Sequence, residues 1–323
     1  MQKGTFRYFG EAVLAMIFWS LSFIWIKIAY RGYLPITTIF LRVVIAGMAL
    51  LLIGLLSGKL QKPKRKDAGL FLLLGFFEPF IYFLGESFGL VYLSPTTAAV
   101  IISTVPLLTP FLAGIFFREK TSLTNQIGLA ISFIGTLWLL TGFSFHLSSS
   151  PRGISLEFLA VLSTLGFSVC LKKLTGKYNN FSIICYQNLV GIVLFLPLWL
   201  TLEAHRTFQN PLNLPAFEAI LELAVFATIL AFFFFTDSIR HLGINRTNLF
   251  SNLIPICVAL FAHYLLHEQF TIQQIAGILL VIAGLFVACS KPKSVAIANS
   301  NSKTRLFLLF HLRKNVNKKI RKI

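Results

Sequence analysis

Lys27, Arg42, Glu78 and Glu86 are ionisable groups set in stretches that are otherwise apolar. A charge near the centre of a bilayer costs about 2.5–3.5 kcal/mol on insertion scales, so each needs a partner or a wet cavity. At about 1.5 Å of rise per helical residue, Lys27, Arg42 and Glu86 fall roughly 5–10 Å inside one membrane boundary. One carboxylate among two cations makes either a neutral cluster that fixes helix positions or a site whose surplus positive charge receives a carboxylate or phosphate. Lys27 and Arg42 as a snorkelling pair that reaches the headgroups is a third reading. Glu78 is nearer mid-membrane and is followed by Pro79, which deprives a carbonyl in the preceding turn of its partner. Glu78 and Glu86 are two turns apart on one helix face. Each is a candidate proton carrier, or a neutral carboxyl hydrogen-bonded to a neighbouring helix.

Uncharged groups extend the set. Asn248 and Asn252 are spaced i, i+4 just ahead of Pro255, where two amides on one face bind a polar ligand or lock helices together. Trp19, Tyr82, Tyr92 and Tyr186 offer rings for stacking or for packing. Asp237 is expected to pair with Arg240 three residues on. Glu119 and Glu268, beside Thr121 and Thr271, fit the N-termini of the helices that follow them. Enzyme-like patterns are weak. Gly85-Glu86-Ser87-Phe88-Gly89 has the spacing of a nucleophile elbow, but that motif needs a strained strand-to-helix turn, and these glycines better suit close helix approach. His263 and His267 have i, i+4 metal-ligand spacing without an evident third ligand. The cysteines Cys170, Cys185, Cys257 and Cys289 read as small packing residues.

The elements that must position these groups follow from composition. The 323 residues are 56% hydrophobic and 12% charged, too little polar surface to cover a soluble domain. With about 20 apolar residues per span, ten segments emerge: 11–30, 36–57, 68–90, 95–117, 124–142, 155–175, 181–202, 215–239, 245–267 and 272–290. Backbone groups in lipid must satisfy one another, so these are helices. The first, which holds Lys27 and leads straight into a second span, does not read as a cleaved signal peptide. Basic residues crowd the segments at 3–7, 59–66, 118–120, 172–177, 240–246 and beyond 290, against Arg31, Arg152 and Arg206 on the other side. That asymmetry places both termini in the cytoplasm and makes the net charge of +18 a topology signal rather than a nucleic-acid footprint.

The second half repeats the first. Pro106, Glu119, Gly128, Gly135 and Leu93 recur 149 residues later as Pro255, Glu268, Gly277, Gly284 and Leu242. Five spans per half put the halves in opposite senses across the membrane. The expected organisation is a first repeat at 1–142, a linker at 143–154, a second repeat at 155–290 and a basic cytoplasmic tail at 291–323. Duplicated apolar halves are the mark of a secondary transporter, with its site near the membrane middle.

Phe18-Trp19-Ser20-Leu21-Ser22-Phe23 with Lys27, Phe40-Leu41-Arg42-Val43-Val44-Ile45-Ala46, and Tyr92-Leu93-Ser94 followed by Ala98, Ala99, Pro106 and Glu119 together carry a resemblance. The chain resembles the drug/metabolite transporter superfamily, EamA type, over about residues 11–290, and Leu242 through Gly284 resembles it more closely still. Ser20 stands where the family commonly has Gly. The resemblance implies a ten-helix exporter of small metabolites, such as amino acids or drug-like compounds, driven by a gradient. An antiporter of anionic metabolites such as sugar phosphates is the alternative, with an intramembrane enzyme a distant third.

These readings give an all-α protein of the inner (plasma) membrane, working by alternating access around a cavity lined by spans one, three, four, six, eight and nine. Expected partners are a small-molecule substrate and lipids, whose anionic headgroups meet the basic tail, with a homodimer left open. No cofactor, metal or nucleic acid is expected.

Overall fold

Long runs of Leu, Ile, Val, Phe and Ala, punctuated by Pro and by capping residues, dictate helices separated by short turns. The computed structural model describes residues 3–117, 123–141, 150–209, 211–267, 269 and 271–289. Among them the chain is helical throughout: α1 (Lys3–Ala29), α2 (Pro35–Ser57), α3 (Arg65–Tyr92), α4 (Pro95–Phe116), α5 (Leu123–Thr141), α6 (Pro151–Thr175), α7 (Asn180–Leu202), α8 (Leu214–Leu242), α9 (Ile244–Leu266) and α10 (Ile272–Cys289). Eight of these are long and apolar enough to cross a membrane. Within α5 and α10 the apolar segments that meet those limits are shorter, Gln126–Gly135 and Ile275–Ala288. Glu119, Glu268 and the tail at 291–323 lie outside the described residues.

Local chemistry sets the helix ends. Pro35, Pro95, Pro151 and Pro215 occupy first turns, where a missing N–H costs nothing. Ser94, Asn179 and Asn213 cap α4, α7 and α8 by accepting from the backbone N–H three residues on. The α2 start lacks such a residue, and Glu203 supplies the acceptor from a distance. Its carboxylate takes Ile36 N at 3.2 Å, Thr37 N at 2.6 Å and the Thr37 hydroxyl at 2.9 Å. The segment read from sequence as a linker through residue 154 is corrected at its end, because α6 begins at Pro151.

The repeat is visible as symmetry. α5 and α10 cross antiparallel: Gly128 lies on Gly284 and Ala288, and Gly135 on Gly277 and Val281. These two contacts exchange under the 149-residue offset. At the centre Ser132 donates to the carbonyl of Val281, its own counterpart, at 3.1 Å. A residue that touches its own equivalent sits on a two-fold axis. A Cβ added at Gly128 would come within 2.2 Å of Ala288 N, and one at Gly284 within 2.4 Å of Ser132 N. Small residues let helices approach in this way without a side-chain layer between them.

Four helices are irregular, at equivalent places. α3 has a π segment at Phe76–Ile81 and α8 one at Leu223–Leu230. α4 breaks at Ser103–Thr104, and α9 tightens to a 3₁₀ turn at Leu249–Leu253. Adding 149 to each first-repeat break lands it on its second-repeat partner. In α3, Glu78 leaves helical geometry (φ −144, ψ 116). Ser163 on α6 donates to the Phe77 carbonyl at 2.5 Å, so a neighbouring helix engages the backbone beside Pro79. The irregular turn sits in glycine notches. Gly191 faces Pro79, Gly166 faces Phe77 and Gly75 faces Val190.

Candidate transport site

The breaks of α3, α4 and α9 border one buried cavity, which α8 reaches through Phe235, beyond its own break. It is lined by Trp19, Ser22 and Phe23 of α1, Arg42 of α2, Glu78, Tyr82, Phe83 and Glu86 of α3, and residues of α4, α6, α8 and α9 that include Thr164, Asn248 and Ser251. Both repeats contribute. The cavity volume is about 40 Å³, room for roughly three waters at 10–15 Å³ each. Its lining adds α2 to the helices expected from the sequence.

Arg42 anchors one wall and is 3% exposed. Its Nε donates to Thr228 Oγ1 at 2.6 Å, and its guanidinium lies 4.0 Å from the centre of the Phe83 ring. Nη1 is 4.0 Å from Glu86 Oε2, close enough for charge attraction and too far for a hydrogen bond. Glu86 Oε1 accepts from the Tyr82 hydroxyl at 3.1 Å, while Oε2 has no hydrogen-bond partner among the described residues. Thr228 is available because α8 is a π helix there: its hydroxyl donates to Leu223 O, five residues back, at 3.0 Å. The irregular turn of the second repeat thus holds the arginine of the first.

The remaining candidates divide. Glu78, Tyr82, Trp19 and Asn248 share the cavity with Arg42 and Glu86. Trp19 is also tied by its Nε1 to Ala227 O at 3.1 Å and packs against Phe232 and Phe235. Asn248 Nδ2 donates to Thr109 Oγ1 at 3.0 Å. Asn252 is buried outside the lining, with both amide atoms unpartnered among the described residues. Lys27 does not line the cavity and donates to the Leu90 carbonyl. Arg42, sealed from the surface, does not snorkel to it. Pro106 and Pro255 each stand immediately beyond a helix break and beside a lining residue, Val105 and Ile254. The expected Asp237–Arg240 pair is corrected. Asp237 is held by Asn180 Nδ2 at 2.9 Å and by His241 at 3.7 Å, whereas Arg240 donates to Tyr178 O and Asn180 Oδ1. Chain reversal at Tyr178–Asn180 brings these acceptors nearer than the next helical turn.

The ends of the bundle close differently. At one, Lys177 pairs with Asp67 at 2.6 Å, Tyr178 donates to the same carboxylate at 2.9 Å, and Arg240 joins through Tyr178 O at 2.7 Å. At the other, Tyr30 donates to Ser87 O at 2.8 Å beside the Lys27–Leu90 contact. Gly85 and Gly89 meet α6 at Leu156 and Glu157, the close approach their spacing suggested.

The family model described as the EamA-like transporter family matches residues 10–141 and again 151–290. The chain belongs to the EamA-like transporter family. An uncharacterized transporter of Archaeoglobus fulgidus is 28% identical over 281 residues, covering 86% of this chain and 97% of that one. A Salmonella typhimurium protein named as a probable amino-acid metabolite efflux pump is 25% identical over 288 residues, covering 85% and 92%. A solved crystal structure matches with a TM-score of 0.67 at 17% identity, over 88% of this chain and 97% of that one, and shows the same fold. This EamA-like protein is therefore a multi-pass membrane protein of a transporter family within the drug/metabolite transporter superfamily.

Proposed function

We propose that this EamA-like protein is a secondary-active exporter of small zwitterionic or drug-like metabolites, working by alternating access in the inner or plasma membrane and coupled to protons. Ten spans in two inverted five-helix repeats, with both termini cytoplasmic, would give each repeat one side of the site. The observation that carries the reading is the buried cavity at the breaks of α3, α4 and α9, where Arg42, held by Thr228 of the α8 break, faces Glu86. Discontinuous helices in corresponding halves are where transporters of this build hold their cargo. A guanidinium offers a partner for a carboxylate, Glu86 and Glu78 for an ammonium group, and Trp19 and Tyr82 for an apolar side chain. The amino-acid export named for the Salmonella relative fits that chemistry. The cavity is too small for such a cargo, so the helices must part to admit it, as alternating access requires.

A second reading, exchange of anionic metabolites, is favoured by the 4.0 Å separation of Arg42 and Glu86, which leaves the arginine free to grip an incoming carboxylate or phosphate. The test is uptake into proteoliposomes of labelled amino acids and phosphorylated metabolites, with and without an imposed pH gradient. Amino-acid flux that rises with the gradient and collapses in Glu86→Gln supports export coupled to protons. Gradient-independent exchange confined to anions supports the second reading. Absence of flux for the whole panel from folded protein would overturn both, and a catalytic role would then return.

A further inference from the structure

Glu157 on α6 is 0% exposed, and neither of its carboxylate oxygens has a hydrogen-bond partner among the described residues. It does not line the cavity. We propose that Glu157 is a proton-binding site that loads Glu86 from the end of the bundle where α6 begins, a role that rests on the proton-coupled reading above.

An ionised carboxylate cannot be kept in a dry site without donors, so the group carries its proton in this closed state. Its place on the path is set by two helices. It lies six positions beyond Pro151, about 9 Å along the axis, and Arg152 and Ser155 are exposed on the way. Towards the interior it rests on α3, where a Cβ at Gly89 would come within 2.6 Å of Glu157 Oε1. Gly89 is one turn from Glu86, whose Oε2 accepts no hydrogen bond among the described residues and faces Arg42 at 4.0 Å. Tyr82, Glu86 and Gly89 are spaced by three or four residues, which strings them along one face of α3, and Glu78 at the break lines the same cavity as Tyr82 and Glu86. Three carboxyl groups therefore descend in order, from Glu157 at the rim, through Glu86 beside Arg42, to Glu78 at the break.

The titratable and charged surroundings are few. Glu86 approaches from α3, with Tyr82, whose hydroxyl is given to Glu86. From α1 come Tyr30, whose hydroxyl is given to Ser87 O, and Lys27, which donates to Leu90 O. α8 brings Asp237, Arg240 and His241 only to the other end of α6, where Lys172 donates to Ile239 O. α4 brings no charged or titratable side chain among its described residues. When the helices near Pro151 part, Glu157 exchanges its proton with water. Before they close, the proton passes to the Glu86 carboxylate, and the Glu157 anion left behind takes a new proton from the water, so that it closes neutral. Each transfer conserves one proton and one negative charge.

Two measurements on the full chain test this. In proteoliposomes, Glu157→Gln should keep substrate exchange at equal pH on both sides and lose accumulation driven by a pH gradient. Infrared difference spectra between high and low pH should contain a protonated-carboxyl stretch that disappears in Glu157→Gln. Retained gradient-driven accumulation in the variant, or an unaltered carboxyl band, overturns the proposal. Wild-type protein without exchange of any substrate would instead sink the transport reading, and the infrared band would still decide whether Glu157 binds the proton. A Glu157→Gln protein that loses exchange and gradient-driven uptake together has a packing role, which also overturns it.

Discussion

Arg42 is held by three unlike contacts: a neutral hydrogen bond to Thr228, the face of Phe83, and the charge of Glu86. A lysine keeps the charge and none of the planar geometry. Arg42→Lys forfeits the stacked guanidinium, worth about 1–2 kcal/mol when desolvated, and substrate exchange should fall by roughly tenfold or more. Arg42→Gln should abolish exchange, since the buried carboxylate loses the cation paired with it among the described residues. Exchange rates set beside size-exclusion profiles check both, and a fully active Arg42→Lys would show that charge alone matters. The sequence exposed Arg42 and Glu86 because a charge in an apolar run is conspicuous. It hid Thr228, whose importance comes from a π turn that no residue in Leu223–Leu230 announces. Glu157 was hidden for another reason. A span drawn from residue 155 makes it a boundary residue, whereas a helix from Pro151 buries it.

At the scale of elements, the α5–α10 crossing is the most constrained contact between the repeats. Backbone atoms of the partner helix lie where a Cβ of Gly128 or Gly284 would go, so these atoms cannot yield as a flexible side chain would. Gly284→Ala should lower stability by about 1–3 kcal/mol through overpacking. Ser132→Ala removes one interhelical hydrogen bond, worth about 0.6 kcal/mol on average in a membrane, and should cost less. Thermal melts of the two variants in detergent check the order; a more damaging Ser132→Ala would contradict this account of the crossing. The glycines at a fixed offset showed the duplication in the sequence, whereas their meeting is a finding of the structure: close approach on a symmetry axis demands the same small residue on both helices. The α3 break was half legible. Pro79 signalled it, but the equivalent break in α8 contains no proline, and only the offset predicts it.

For the whole molecule, the alternating-access reading makes the cavity of about 40 Å³ one stage of a cycle, and the contacts at the two ends of the bundle are built from different bonds. Asp67 binds Lys177 and Tyr178 across the start of α3 and the α6–α7 turn, with Arg240 of α8 drawn in. The opposite end relies on backbone carbonyls of α3, taken by Lys27 and Tyr30 of α1. An alternating-access protein must break each closure in turn, whereas a fixed pore needs neither to move. Cysteines introduced at Asp67 and Lys177, in a background freed of the four native ones, and joined by a short cleavable thiol cross-linker should stop exchange. Cleavage of the linker should restore it. A second pair at Tyr30 and Ser87 should behave the same way, because one locked end is enough to halt a cycle that visits both. Exchange that continues with either pair joined would mean that cargo crosses without that end opening. The rocking of two repeats about the Ser132–Val281 axis would then have to give way to a smaller local gate at the breaks of α3 and α8.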